Sequence, residues 1–433
     1  MRFKIIYIGF ILSCFVTTGT FGQDTILTLE RAINLALEKN YGIYISQLET
    51  NQAELNNHWG NAGRYPAIRF SGTSANNYSI TNNTSLNNML KADVNADWVL
   101  FNGFRVVSTK TQLEELENLT RGQSAVIVEN TIEDVIMGYY LILLEMEKLK
   151  VFEKVLSLSE DRYLYEQKRY DLGSSVSYKV LQAKNNYLTD KISYISQQLA
   201  YRNAVRNLNF LMGLDSDSLI EWSYISEFQP DTSDYVFSDI KEKTLTQNQT
   251  IQNQYINLRI KEQDTRIRKS DYFPSVGLSS GITNQENYGI NQGNISMGDP
   301  ALNVYGNINI SYNIFNGGKR KRSLEVARIS EEIAQTDINE IQHVILNQLL
   351  NVYDMYTIRK EILMVSEDNL NTVALNLNIA EEKYKTGIIN SFEYREVQLN
   401  YIQAAINKLQ AVYNLLYSNT TLIRITGGFI DEN

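Results

Sequence analysis

"WVLFNGFR" at 98–105 and "YNIFNGGKR" at 312–320 are two versions of one phrase: an apolar, aromatic run, then Phe-Asn-Gly, then a turn to basic residues. Phe101 and Phe315 stand 214 positions apart, as do Asn102 and Asn316, and Gly103 and Gly317. Four more pairs keep matched spacing. "LEKN" at 37–40 answers "LTQN" at 245–248, and Pro66 in "GRYP" answers Pro274 in "DYFP", both at 208. "KRYDLG" at 168–173 answers "EKYKTG" at 382–387, and "LMG" at 211–213 answers "ITG" at 425–427, both at 214. The step of six places a longer loop between proline and Phe-Asn-Gly in the second half. A unit of roughly 200 residues is therefore written twice, and such a repeat decides architecture before any single motif does.

Within each unit the periodicity changes in a fixed order. In "KADVNADWVLF", Ala92, Val94, Ala96, Trp98 and Leu100 alternate with Lys91, Asp93, Asn95 and Asp97. In "NVYGNINISYNIF", Val304, Ile308, Ile310, Tyr312 and Ile314 alternate with Asn303, Asn307, Asn309, Ser311 and Asn313. A period of two with one apolar and one polar side is a strand between two environments. Earlier strands are expected from Ile68 to about Ser74 and from Val276 to about Ile282, with exposed loops at 76–88 and 284–300. After Phe-Asn-Gly the period is helical: Val128, Ile132, Val135, Tyr139, Leu143, Met146 and Leu149 step by threes and fours, as do Ile345, Leu349, Val352 and Tyr356. The four prolines (Pro66, Pro230, Pro274, Pro300) leave 67–229 and 301–433 unbroken. A helix from Gly103 to Leu172 would be about 100 Å long at ~1.5 Å per residue. Asn102 and Asn316 are expected to cap the helices that start there.

At the amino end, "MRFK" precedes the apolar "IIYIGFILSCFV" and the small, polar "TTGTFGQD", the order of a secretory leader cut after Gly22. "ILSC" leaves a second possibility, a lipidated Cys14; with cleavage after Gly22 the mature chain has no cysteine, hence no disulfide or thiolate site. The expected organisation is a leader at 1–22 and two repeats, 23–229 and 230–433, each running helix, two strands, long helix, return helix. Pro230, in "EFQPDTSDY", marks the joint. The chain holds 40 basic and 49 acidic residues, and losing Arg2 and Lys4 leaves 38 against 49, a balance that excludes nucleic-acid binding by phosphate neutralisation. Beyond the leader no apolar run approaches spanning length, so only a β-barrel would cross a bilayer.

Four strands cannot close a barrel, and lipid does not tolerate an open edge. Closure demands several copies, and inward Asn, Ser and Asp imply water inside. The expected class is an α+β membrane protein, mostly α: four transmembrane strands per chain, very long coiled-coil helices, and an oligomeric barrel.

The order of leader, helix, two strands, long helix, turn and return helix, given twice, resembles the TolC family of outer-membrane channels over essentially the whole mature chain. "LFNG" and "IFNGG", "RYP" and "YFP", "RYDLG" and "KYKTG" carry it through their ordered duplication, none being specific alone. The resemblance implies a homotrimer in the cell outer membrane, with a twelve-stranded barrel continued by an α-helical tunnel into the periplasm. It implies a passive export duct of an efflux pump or type I secretion system, partnered by a periplasmic adaptor and an inner-membrane transporter. It places Arg169, Leu172, Gly173, Ser174, Lys383, Thr386, Gly387 and Ile388 at tips where the adaptor docks. It also implies an aperture ringed by Glu393 and Glu396, six and nine positions after Gly387. Six carboxylates in three copies would favour cations. Where the family has an acid six positions after the first tip glycine, this chain has Lys179. Lys179 is expected to pair with Glu393 or Glu396 of a neighbouring helix.

Two histidines, His58 and His343, in no metal-ligand spacing, with no phosphate loop and no nucleophile motif, leave no catalytic reading, no cofactor and no metal. The long helices alone would also permit a soluble periplasmic coiled-coil scaffold without a pore.

Overall fold

The computed structural model describes residues 26–79, 85–214, 222–225, 228–230, 232–291 and 294–429. The expected leader, Cys14 and part of the joint around Pro230 lie outside the described residues. The first half runs β1 (Ile26–Leu27), α1 (Leu29–Lys39), α2 (Tyr41–Asn56), β2 (Ala67–Ser79), β3 (Ser85–Asn102), α3 (Arg105–Asp171) and α4 (Ser177–Leu211). The second runs β4 (Ser223–Tyr224), α5 (Phe237–Gln247), α6 (Gln249–Ser270), β5 (Ser275–Asn291), β6 (Asn294–Met297), β7 (Ala301–Ser311), α7 (Lys319–Lys385) and α8 (Ser391–Ile425). α1, α2 and β2 start 208 residues before α5, α6 and β5, and α3 and α4 start 214 before α7 and α8. These are the offsets of the sequence pairs.

β2, β3, β5 and β7 form an antiparallel meander, with β6 prolonging β7 along the same neighbour, β5. The strands are longer than their alternation implied. β2 runs on to Ser79, β3 begins at Ser85 and β5 reaches Asn291, so most of the two stretches read as loops is paired backbone. Asn-rich sequence was the misleading signal: backbone pairing satisfies amides whatever the side chains are. The apolar face collects Ile68 and Phe70, Val94 and Trp98, Leu278 and Ile282, and Val304, Ile308 and Ile310, all register partners or next-but-one neighbours. The other face is wired by polar contacts: Ser71 Oγ donates to Asp93 (2.7 Å), Ser279 Oγ to Asp97 (3.0 Å), and Lys91 pairs with Asp93 (3.4 Å). Leu100 is the extra residue of a bulge between Val99 and Phe101, so Phe101, opposite Val276, takes the apolar side in its place. Among the described residues β2 and β7 have one neighbour each, leaving two open edges.

α3 and α7 are each 67 residues, about 100 Å at ~1.5 Å per residue. α3 packs against α4 over its distal part, against α2 and α6 near the sheet, and against α8; α7 packs likewise on α8 and α6. The stripe read from sequence lies in the core: Ile132, Val135, Tyr139 and Leu143 in the first unit, and Ile345, Leu349, Val352 and Tyr356 in the second, are buried. The short pair β1–β4 is held by Tyr139 Oη, which donates to the carbonyls of Leu27 (3.1 Å) and Ile225 (3.2 Å). Among the described residues no helix is long and apolar enough to cross a membrane.

Candidate functional site

The far ends of the α3–α4 and α7–α8 hairpins are built alike. At the first, Gly173 N donates to Tyr170 O (2.8 Å) and Ser174 N to Arg169 O (2.8 Å); at the second, Gly387 N donates to Tyr384 O (3.0 Å) and Ile388 N to Lys383 O (2.9 Å). This is the Schellman arrangement, which needs left-handed backbone at the glycines, φ 72° and 76°. Arg169 folds back over its own turn, its guanidinium donating to Ser174 O (3.2 Å) and lying 3.8 Å from Glu166. Leu172 and Ile388 protrude almost bare at the two apices. Thr386 Oγ1 closes on the carbonyl of Glu382 (3.0 Å), and Lys385 pairs with Glu381 (2.9 Å) and Glu382 (3.2 Å), which raises its ammonium pKa.

Of the residues expected at an aperture, Glu393, Glu396 and Lys179 are all exposed. Glu393 also has a local task. Its Oε2 accepts from Asn390 N (2.8 Å) while Asn390 Oδ1 accepts from Glu393 N (3.1 Å), a capping box that starts α8. Among the described residues Lys179 makes no ion pair within 4 Å, with Glu393, Glu396 or any other carboxylate.

Behind the tips lies a buried cluster that sequence reading missed. Arg162 on α3 donates to Ser391 O on α8 (2.8 Å), with its guanidinium carbon 5.3 and 5.8 Å from the ring centres of Tyr384 and Tyr394. Those two rings stack at 5.1 Å. Glu166 accepts from Tyr384 Oη (2.8 Å) and Ser175 Oγ (2.9 Å), and burial, then the Glu166 contact, pushes the Tyr384 phenol up to about 12. Burial also raises Tyr394. Next to Tyr394 on α8, Arg395 grips Asp190 on α4 with two bonds, 2.7 and 2.6 Å. Arg162–Ser391, Tyr384–Glu166 and Arg395–Asp190 each tie one hairpin to the other. Arg162 and Glu166, four apart on a helix, were the available hint. Their partners on the other hairpin lie more than 200 residues along the chain, so no local pattern identifies them.

At the sheet-to-helix junctions, Asn102 and Asn316 stand two residues before the helix caps, Phe104 and Gly318, and reach the helices from there. Asn102 Oδ1 accepts from Val106 N (3.4 Å) and Asn316 Oδ1 from Arg320 N (3.3 Å). The expectation that these asparagines are the caps themselves is corrected: a left-handed pair, Gly103–Phe104 or Gly317–Gly318, intervenes to turn the chain. Pro66 and Pro274 lie immediately before β2 and β5. Among the described residues no group of three His, Cys, Asp or Glu is placed to hold a metal.

The family model for outer membrane efflux proteins matches residues 32–214 and 241–428, nearly the whole described chain. The chain belongs to the outer membrane efflux protein family. It is similar to the probable efflux pump outer membrane protein TtgC of Pseudomonas putida, 20% identical over 410 residues that cover 92% of this chain and 83% of the relative. Its fold is similar to the CmeC outer membrane channel of Campylobacter jejuni (TM-score 0.77, 17% identity, 93% and 86% of the two chains). It is likewise similar to the outer membrane protein VceC of Vibrio cholerae (TM-score 0.74, 15% identity, 92% and 96%). As a member of this family the chain is an outer-membrane channel that acts in efflux, with its helical part in the periplasm, and is not an enzyme. Membership decides against the pore-free scaffold.

Proposed function

We propose that three copies of this efflux channel close one twelve-stranded barrel, that a periplasmic adaptor and an inner-membrane transporter deliver substrate to its tunnel, and that the hairpin tips form a gated aperture. The division into a leader at 1–22 and units at 23–229 and 230–433 is part of this reading. The observation that carries the closure is that one chain leaves matching surfaces uncovered. Besides the open edges of β2 and β7, α4 exposes Leu181, Leu188, Ile192, Ile195 and Leu199 on the side opposite its packing against α3. α7 exposes Ile358, Ile362, Val365 and Ile379. Both sets keep the three-and-four spacing of a coiled-coil seam. α4 of one copy lying on α7 of the next would cover both and close the tunnel as the strands close the barrel.

Relatives named for antibiotic and toluene efflux support a pump duct over polypeptide secretion. Exposed Leu172, Ile388, Thr386, Ser174 and Lys383, with half-buried Arg169, supply around Gly173 and Gly387 a mixed apolar and basic surface for the adaptor. Glu393 and Glu396 form the aperture's carboxylates, Lys179 counters them from the neighbouring chain, and the Arg162–Glu166–Tyr384 cluster with the Arg395–Asp190 pair holds the hairpins together. Removing one partner from a buried ion pair costs about 3–5 kcal/mol, enough to bias the two hairpins apart.

Single-channel conductance in a planar bilayer tests the reading, with Glu393→Gln, Glu396→Gln beside the unaltered protein. Glutamine keeps the capping box and removes the charge. A small cation-selective conductance that loses its preference in the variant is expected. Unchanged selectivity would discard the carboxylate ring, unchanged conductance in Lys179→Ala would discard its pairing, and failure of a folded oligomer to conduct would discard the duct.

A further inference from the structure

Residues 319–322 read Lys-Arg-Lys-Arg where β7 gives way to α7, and no acidic residue lies in that first turn. Only Arg320 is absorbed by packing: its Nη1 donates to Asp271 O (3.2 Å) and Asn313 O (3.1 Å), and its guanidinium lies 4.4 Å over the Tyr272 ring. Lys319, Lys321 and Arg322 are exposed. Among the described residues none of the three has an ion-pair partner within 4 Å, although Arg322 also donates to Gly317 O (3.0 Å). The first repeat does not share this feature. Its junction carries one cation, Arg105, already paired with Asp271. Duplication therefore does not account for three uncompensated charges in a chain whose net charge is −9.

Their position indicates what they meet. Immediately before them, in the connection that follows β7, Ile314 and Phe315 continue the apolar band beyond the sheet, each 83% exposed. In an outer-membrane channel that band lies in hydrocarbon, and the cations begin four residues later, where lipid phosphates sit. Exposed apolar side chains beside free Lys and Arg are the surface that takes up an anionic lipid, acyl chain against the one and headgroup against the other. We propose that Lys319, Lys321 and Arg322 form a binding surface for anionic phospholipid headgroups in the periplasmic leaflet of the outer membrane. Its seal to the inner leaflet is electrostatic as well as apolar, and localised to the β7–α7 side of each copy.

The test uses the full-length oligomer in nanodiscs of phosphatidylethanolamine with and without phosphatidylglycerol, reading phosphatidylglycerol retained per chain after dilution and the thermal midpoint. The unaltered protein retains phosphatidylglycerol preferentially, less so as salt rises. Lys319→Gln, Lys321→Gln, Arg322→Gln lowers apparent affinity roughly a hundredfold, at about a fivefold loss per removed cation. Lys241→Gln, Lys243→Gln, two exposed cations on α5, leaves it unchanged. Equal retention by the triple variant would overturn the proposal, as would equal stabilisation by inorganic phosphate, which would make the ligand a soluble anion. A change in channel ion selectivity with lipid retention intact would assign the cluster to the lumen instead. Should the triple variant fail to assemble, a salt-independent preference in the unaltered protein would overturn it equally.

Discussion

Phe104 has φ 68°, the one positive value outside glycine among the described residues, and it holds that conformation with its ring 64% exposed. The left-handed region costs an ordinary residue roughly 1–2 kcal/mol, and the second repeat avoids the cost by placing Gly318 there. Edge contacts with Phe101 (5.5 Å) and Phe273 (6.5 Å) are part of what offsets it. Two substitutions separate backbone from ring. Phe104→Ala loses the ring and keeps the strain, whereas Phe104→Gly loses both. The glycine variant is expected to stand about 1 kcal/mol above the alanine variant in thermal or denaturant unfolding. Equal stabilities would show that the turn carries no strain. At this scale the duplicated Phe-Asn-Gly was legible and its consequence only half so. Gly103 faces Ser270 O so closely that a Cβ would stand 2.5 Å away, while Gly317 has open space. That difference depends on the end of α6, far along the chain, and is invisible in the motif.

Among elements, the least expected device is the end-to-end joint between helices far apart in sequence. Asn40 starts α2 by accepting from Gly42 N (2.8 Å) and Ile43 N (3.2 Å), and its Nδ2 donates to Leu211 O at the end of α4 (2.8 Å). Asn248 repeats this, accepting from Thr250 N (3.1 Å) and Ile251 N (3.2 Å) and donating to Ile425 O of α8 (2.9 Å). One amide thus satisfies orphan groups of two helices, N–H groups of one and a carbonyl of the other. The joints make α4–α2 and α8–α6 act as continuous rods beside α3 and α7. "LEKN" and "LTQN" stood out as a repeated pair, but nothing local reveals that their asparagines bind carbonyls 171 and 177 residues away. Asn40→Ala and Asn248→Ala are each expected to cost about 1–2 kcal/mol, the loss of a helix cap together with a carbonyl left unpaired. Asn248, the more buried, should cost more. Hydrogen exchange at the amides of Thr250 and Ile251 should accelerate in the second variant; protection unchanged there would remove the joint from the account. Strand lengths were the other shortfall at this scale, because polar composition marks loops and barrel strands alike.

For the whole molecule, the sequence required more than one copy, since four strands leave edges, and the structure adds where copies would meet. α4 carries two seams on opposite sides. Val180, Ala183, Asp190, Gln197, Ala204 and Leu208 are buried within the chain, and Leu181, Leu188, Ile192, Ile195 and Leu199 are not. α2 prolongs the uncovered seam with Tyr41, Tyr44, Leu48 and Leu55, and the near half of α7 answers with Val326, Ile329 and Ile333. Exposed aliphatic rows of this length are not maintained in water, where each side chain forgoes about 1.5–3 kcal/mol of burial. Ile192→Glu with Ile195→Glu therefore removes two buried side chains from every interface of a closed ring and places carboxylates there. So does Ile362→Glu with Val365→Glu, from the other side. Both are expected to convert the proposed trimer, solubilised in detergent, to single chains by size-exclusion with light scattering, while helical circular dichroism is retained because each chain's own cores are untouched. The two variants must behave alike, since one seam is the other's partner. Dissociation by the α4 pair alone would mean that the α7 row faces something other than a second copy, and an oligomer that survives both would move the closure to the strands.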